Sequence, residues 1–303
     1  MSALLNVVLP VFIVAGIAAL AHLWLKFEAR TLSRAVFYLF APALVFDSLA
    51  NSELSGSAMG QITVAVLLTT FALWALGILA ARLLRLEGPT QAAFLVGILL
   101  MNAGNFGLSL NYFAFDDIGL AWATLYFTLS ALLSASLGAY LSARGRTTAR
   151  QALRRVAGLP IIYAAALGTV FALGNLAVPE PVGKAVHLLG QASVPVMLAV
   201  LGLRLAEVIR ARQRVQHLPA LAVATLMRLI VSPALAFLFA GLVGLSGIAR
   251  DVTVLQSAMP TAVISTILAT EFDSDPPFAA LCVLSTTLIS LPTLTILLNI
   301  LMP

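Results

Sequence analysis

The sequence predicts an all-α membrane protein that crosses the bilayer ten times. Of its 303 residues 61% are hydrophobic and only 10% are charged, and the mean hydropathy is +1.05. A soluble domain has roughly a quarter of its residues charged, and a spanning helix needs about 20 apolar residues. Apolar segments of that length alternate with short loops. The predicted spans cover residues 3–25, 31–50, 59–83, 90–114, 118–141, 156–176, 182–205, 217–244, 250–271 and 277–301.

The first apolar segment is predicted to be a retained helix rather than a signal peptide. A signal peptide begins with a positively charged stretch. Here no Lys or Arg precedes the segment, and Lys26, Arg30 and Arg34 follow it.

The single cysteine, Cys282, excludes an internal disulfide, and the three histidines have no metal-ligand spacing. We therefore expect no metal and no cofactor.

Basic residues indicate the orientation, because Lys and Arg concentrate in cytoplasmic loops. All 17 basic residues except Lys184, Arg228 and Arg250 follow spans one, three, five and seven. Those loops are predicted to be cytoplasmic, so both termini face outside. The net charge of +5 then reflects topology and contact with anionic lipid headgroups. Basic residues scattered over membrane-edge loops do not favour a nucleic-acid partner.

The two halves of the chain resemble each other. Four pairs of motifs recur in the same order at offsets of 150 to 157 residues. They are Leu9-Pro10 with Leu159-Pro160, Pro42 with Pro195, Asn102–Asn105 with Ser257–Thr261, and Phe115-Asp116 with Phe272-Asp273. Chance is the alternative, since proline is common in membrane helices, but the shared order and spacing favour a repeat. Each half has five spans, an odd number, so the second repeat enters the membrane from the opposite face. We predict repeats at 1–141 and 156–303, joined by a cytoplasmic linker at 142–155.

The predicted substrate site lies at breaks near the middle of spans four and nine. A break at mid-membrane normally lines a cavity, because freed backbone groups find no water in lipid. Each break begins a second half-helix, which Asn102 or Asn105 can cap in span four. The N-terminal N–H groups and positive dipole ends of such half-helices suit an anion, most simply a carboxylate. The alternative is that the amides bond across helices as packing contacts. The predicted site residues are Asn102, Gly104, Asn105, Met259, Pro260 and Thr261.

Three charged residues are candidates for coupling or gating. Arg228 lies well inside span eight, where it could pair with the substrate or extend its flexible stem to the cytoplasmic interface. Asp47 and Glu271 lie near the ends of spans two and nine. Each could carry a proton if burial favoured its neutral form, or remain a solvated boundary residue. The interfacial and solvated alternatives are the simpler ones, so the sequence identifies no clear proton carrier.

Several segments resemble the auxin efflux carrier family of membrane transporters. They include the motifs Asn-Ala-Gly-Asn-Phe-Gly and Met-Pro, and they lie at residues 32–50, 101–110, 191–206 and 257–302. The short loop at 142–155 is similar to that of the bacterial members, which implies the bacterial inner membrane. The resemblance also implies a five-plus-five inverted repeat with crossing helices four and nine. It further implies a scaffold of helices 1, 2, 6 and 7, a moving transport domain made of the others, and a homodimer.

The substrates that the resemblance implies are organic anions: indole acetate in plants, and malonate or related carboxylates in bacteria. The sequence thus predicts a secondary transporter of small organic anions that works by elevator-type alternating access, and not an enzyme. An intramembrane enzyme would need a catalytic motif such as His-Glu-x-x-His, which is absent. A channel would need a continuous polar lining, whereas the predicted spans offer only one concentrated polar site. A membrane receptor that binds the anion without moving it is the remaining alternative, although no soluble output domain supports it.

Overall fold

The computed structural model describes residues 4–51, 55–143, 148–174, 176–211 and 217–302. These residues form twelve helices and one isolated β-bridge. The helices are α1 Leu4–Leu25, α2 Ala29–Ala50, α3 Gly56–Leu83, α4 Gly88–Leu99, α5 Ala103–Ser142, α6 Ala149–Ala157, α7 Pro160–Leu173, α8 Glu180–Arg210, α9 Leu218–Leu242, α10 Gly247–Ser257, α11 Ile264–Glu271 and α12 Pro276–Leu301.

Seven of these helices, α1, α2, α3, α5, α8, α9 and α12, are long and apolar enough to cross a membrane. Two more, α4 and α7, are shorter apolar helices. The chain is therefore an all-helical, multi-pass membrane protein. Four of the basic residues used to predict the orientation lie outside the described residues, namely Arg144, Arg146, Arg212 and Arg214.

Helix α5 runs through the predicted boundary between spans four and five. At that boundary Phe115 and Asp116 have non-helical backbone angles, and Asp116 has a φ of 52°. A left-handed residue redirects the chain without a long loop. The bend therefore divides α5 at the position where the sequence predicted a boundary between two spans.

Proline and cap residues determine where several helices begin. Pro89 lies in the first turn of α4 and Pro160 is the first residue of α7, positions where a missing N–H leaves no hydrogen bond unmade. The side chain of Asp275 accepts a hydrogen bond from Phe278 N at 3.1 Å and so caps α12. Pro195 lies inside α8, where the helix continues through it.

Part of the predicted linker at 142–155 is helical. Thr148 and Gln151 form a reciprocal cap, in which Thr148 N donates to Gln151 Oε1 at 2.9 Å and Gln151 N donates to Thr148 Oγ1 at 3.3 Å. This cap starts α6, which ends at Ala157. The predicted span at 156–176 therefore begins too early, because α7 starts only at Pro160.

Glycines allow α1, α2, α7 and α8 to pack closely as one group. A Cβ at Gly202 on α8 would overlap the carbonyl oxygen of Ala15 on α1. A Cβ at Gly168 on α7 would lie 3.0 Å from the carbonyl oxygen of Phe46 on α2, and one at Gly190 on α8 would lie 3.4 Å from Leu44 Cα. Membrane helices associate through such small residues, because lipid supplies no hydrophobic force between them.

Gly202→Ala is expected to destabilise this group. The new methyl group meets backbone rather than a flexible side chain, so α1 and α8 must separate, at a cost of about 1–3 kcal/mol. The matched control is Gly16→Ala on α1, where a Cβ would meet nothing within 4 Å. The apparent melting temperature in detergent should fall for Gly202→Ala alone. Equal melting temperatures would contradict the close α1–α8 contact.

A second group consists of α3, α4, α9 and α12, packed around buried apolar side chains. A Cβ at Gly77 on α3 would overlap Ile98 on α4, and one at Gly97 on α4 would lie 3.2 Å from Cys282 Sγ on α12. Helix α4 is therefore enclosed by its neighbours.

Candidate functional site

Two extended segments cross, one between α4 and α5 and the other between α10 and α11. Asn102 N donates a hydrogen bond to Pro260 O, and Ala262 N donates one to Leu100 O, each at 2.8 Å. Backbone groups freed from a helix need partners in lipid, and these reciprocal bonds supply them. These two non-helical segments therefore contact each other directly. We call these two segments, residues 100–102 and 258–263, the crossing.

Thr261 forms hydrogen bonds within the protein through both its side-chain hydroxyl and its backbone N–H. It pairs with Met101 in the antiparallel bridge, and its Oγ1 donates to Gly97 O at 2.7 Å. Its backbone N–H donates to Thr286 Oγ1 at 3.0 Å. Met259 is fully buried beside it. Thr261 thus ties the crossing to α4 and α12, whereas the sequence suggested that its hydroxyl could bind a ligand.

The two amide side chains of the first break differ in burial. Asn102 is 6% exposed and Asn105 is half-buried. Asn102 immediately precedes α5, but its side chain makes no capping hydrogen bond. Its Nδ2 is buried without a hydrogen-bond partner in the described part of the chain. An unsatisfied buried donor costs about 1–3 kcal/mol, so Asn102 Nδ2 is a strong candidate for a ligand contact.

The two glycines of this segment permit close packing. A Cβ at Gly104 would lie 2.8 Å from the ring of Phe127, and a Cβ at Gly107 would overlap the side-chain oxygen of Gln256. Gly107 is therefore the contact point between α5 and α10. Gly104 leaves room for the ring of Phe127.

Gln256 is a buried polar residue that the sequence analysis did not single out. Its Nε2 donates to Ala103 O and Ala123 O, both at 3.3 Å, so it joins the start of α5 to the part beyond the bend. Its Oε1 is buried and has no partner among the described residues. The signal in the sequence was an amide inside an apolar segment, three residues before Met259.

Arg228 is fully buried, so the expectation that it extends to the cytoplasmic interface is wrong. Its Nη1 donates to Ile98 O at 2.7 Å, and its Nη2 donates to Ser257 O and Ser232 Oγ. Ile98 lies in the last turn of α4 and Ser257 is the last residue of α10. The carbonyls at a helix C-terminus lack intrahelical partners, and they hold the guanidinium inside the protein.

Asp47 and Glu271 occupy different environments. The Asp47 side chain is 18% exposed, and its Oδ2 lies 2.8 Å from His187 Nδ1. Glu271 is 48% exposed, and its Oε1 lies 2.7 Å from Arg155 Nη2 on α6. The guanidinium of Arg155 also lies 5.0 Å from the ring centre of Phe272. Glu271 thus forms a surface ion pair between α6 and α11.

Glu271→Gln is expected to have a small effect on stability. An exposed ion pair contributes about 0–1 kcal/mol, because water and salt screen it. Unfolding in detergent at low and high salt should differ little between this variant and the unsubstituted chain. A loss well above 1 kcal/mol would show that the α6–α11 contact is more than a surface pair.

The lining of a cavity of about 1200 Å³ includes no residue of the crossing. The cavity is lined by residues of α1, α2 and α8 and by the bend of α5, among them Asp47, Tyr112, Asp117, Trp122 and His187. Asp47 is the one predicted site residue that lines it. Tyr112 lies seven residues after Asn105, or about 10 Å along a helix.

The fold is that of a multi-pass membrane protein, and the crossing places buried polar groups inside it. The sequence matches the family described as membrane transport protein over residues 3–151 and 144–298. The chain belongs to this family, the auxin efflux carrier family, which confirms the resemblance. Its members are transporters and not a class of enzymes.

Three relatives illustrate the similarity. An uncharacterised transporter of Methanothermobacter thermautotrophicus is 31% identical over 274 residues, which cover 88% of this chain and 87% of the relative. The uncharacterised transporter MJ1031 of Methanocaldococcus jannaschii is 25% identical over 272 residues, or 87% of each chain. Auxin efflux carrier component 1 of Arabidopsis thaliana is 28% identical over 146 residues, which cover 46% of this chain and 23% of that protein.

Proposed function

We propose that this protein is a secondary transporter that carries small organic anions by elevator-type alternating access. The observation that carries the proposal is the crossing, where the segments that lead into α5 and α11 are hydrogen-bonded to each other and the side-chain Nδ2 of Asn102 has no partner among the described residues. Helix starts present N–H groups and a positive dipole end, and an amide adds a further donor. Such donors suit a carboxylate.

The architecture that we propose has ten spans in two inverted repeats, at 1–141 and 156–303. Helix α4 with the first part of α5 forms span four, and α10 with α11 forms span nine. The glycine contacts support a scaffold of α1, α2, α7 and α8. The remaining spans form the moving unit, so the crossing travels with it. A homodimer in the plasma membrane, with both termini outside, completes the proposal.

The cavity supports a route for the substrate between the two units. Asp47 and His187 line it from the scaffold, and Tyr112 and Trp122 line it from α5. A cavity between two units changes shape when one of them slides, as alternating access requires. In the proposed topology the cavity opens to the outside, because it lies at the outer ends of α2 and α8.

A thermal-shift screen of the purified protein against mono- and dicarboxylates tests the proposed ligand class. A ligand that binds only the folded state raises the melting temperature by mass action. We expect malonate or indole-3-acetate to do so, and the uncharged malonamide and indole-3-acetamide to do so less. Equal shifts with acids and amides, or no shift with either acid, would contradict an anion site.

A further inference from the structure

Arg228 is a buried cation whose polar partners are neutral. None of the ion pairs among the described residues includes it. Its two terminal nitrogens contact the carbonyls of Ile98 and Ser257 and the hydroxyl of Ser232, which itself donates to Ser257 O at 2.9 Å. An isolated charge in a membrane protein is costly, so something must compensate it. The C-terminal ends of α4 and α10 provide that compensation.

Four helix ends meet at the crossing, and their partial charges oppose one another. The C-terminal ends of α4 and α10 each carry roughly −0.5 of a unit charge, and the N-terminal ends of α5 and α11 each carry roughly +0.5. On their own, these four ends would nearly cancel. The crossing would then attract an anion only weakly.

We propose that Arg228 gives the crossing its affinity for anions without touching the anion. This inference rests on the proposed function. The guanidinium is effectively always charged, and it offsets the negative ends of α4 and α10. The positive ends of α5 and α11 are then left uncompensated. Arg228 is therefore a positioning residue that acts through the backbone of both interrupted helices.

The geometry also separates Arg228 from the ligand. Both of its terminal nitrogens donate to protein oxygens, and the whole side chain is buried, including Nε, which has no partner among the described residues. It contacts the carbonyls of Ile98 and Ser257, at the C-terminal ends of α4 and α10, and these ends adjoin the crossing. A ligand at the starts of α5 and α11 would lie beyond those carbonyls. Arg228 thus acts by charge and by holding the two helix ends together.

The test compares Arg228→Met, which keeps the length and removes the charge, with Arg228→Lys, which keeps the charge. Affinity for malonate and for indole-3-acetate is measured by calorimetry, and backbone hydrogen exchange is measured at Asn102 and Ala262. The bonds of those two amides form the crossing. Arg204→Met on α8 is the matched control, because Arg204 is also mostly buried but bonds to Glu207 and Ser33.

We expect Arg228→Met to lower carboxylate affinity by about tenfold or more and Arg228→Lys to retain most of it, since a positive charge beside the helix C-termini offsets their negative ends. Hydrogen exchange should rise in both variants, because a lysine cannot reproduce the fork of hydrogen bonds. The control should bind like the unsubstituted chain. If Arg228→Met does not fold, Arg228→Gln replaces it, as a neutral side chain that still donates.

Equal affinities in the Met and Lys variants, whether high or low, would overturn the inference. Equally low affinities would mean that binding follows the integrity of the crossing and not its charge. If the unsubstituted chain binds neither acid, the anion-carrier proposal itself fails before any variant is compared.

Discussion

Asn105→Ala is expected to lower the affinity for a carboxylate by about tenfold or more while the chain remains folded. Asn105 follows the start of α5 and keeps part of its surface exposed. A hydrogen bond to a charged group contributes about 1.5–3 kcal/mol, so its loss costs at least tenfold in affinity. Calorimetric titration with malonate and indole-3-acetate measures the effect.

Asn111→Ala is the matched control for this variant, because it removes an amide from the same helix. Asn111 is fully buried and its Nδ2 donates to Gly107 O at 2.8 Å, whereas Asn105 is half-buried. We expect this control to lose some stability and to keep its affinity. Unchanged binding by a folded Asn105→Ala variant would remove the amide from the site.

Gly107→Ala is expected to abolish transport. A Cβ at this position would overlap the oxygen of Gln256, which is fully buried and bonds to both parts of α5. The new methyl group must push α5 away from α10, and such overpacking costs about 1–3 kcal/mol. Uptake into proteoliposomes and the melting temperature in detergent measure the two consequences.

A second substitution makes this explanation specific. Gln256→Ala removes the atoms that the new methyl group would meet, so the double variant should regain melting temperature relative to Gly107→Ala alone. Gly60→Ala on α3 is the neutral control, since a Cβ there meets nothing within 4 Å. If Gln256→Ala restores no stability, the clash is not the cause of the loss.

The breaks and their meeting could be predicted from the sequence. Asn102 and Pro260 interrupt apolar segments, where an unpaired backbone group has no partner in lipid, so each break had to bond to protein. The equivalent places of the two breaks in the two halves indicated that the half-helix starts lie close together, but not that the two segments bond to each other. Their reciprocal backbone bonds are seen only in the structure.

The buried position of Arg228 could not be predicted in the same way. Its flexible stem allows either an interfacial or a buried position. The buried position is favoured because carbonyls at the ends of α4 and α10 accept hydrogen bonds from the guanidinium. Those ends are brought to Arg228 by tertiary packing. Gln256 was missed for the same reason, because its partners, Ala103 and Ala123, are far away in sequence.

The cavity was also beyond prediction from the sequence. Its walls come from α1, α2 and α8 and from the bend of α5. The space between several helices depends on their packing distances, which small residues such as Gly190 change locally. The hydropathy of the sequence shows which segments are apolar, but it does not give the distances between the packed helices.

Flux through reconstituted proteoliposomes tests the central claim most directly. Vesicles that contain the unsubstituted protein, Asn105→Ala or Asn111→Ala are given radiolabelled malonate or indole-3-acetate, and the label inside is counted over time. An anion carrier should give saturable uptake of at least one label with the unsubstituted protein and Asn111→Ala, and little uptake with Asn105→Ala. Binding of the label without its entry into the vesicles would instead indicate a receptor and would contradict the account.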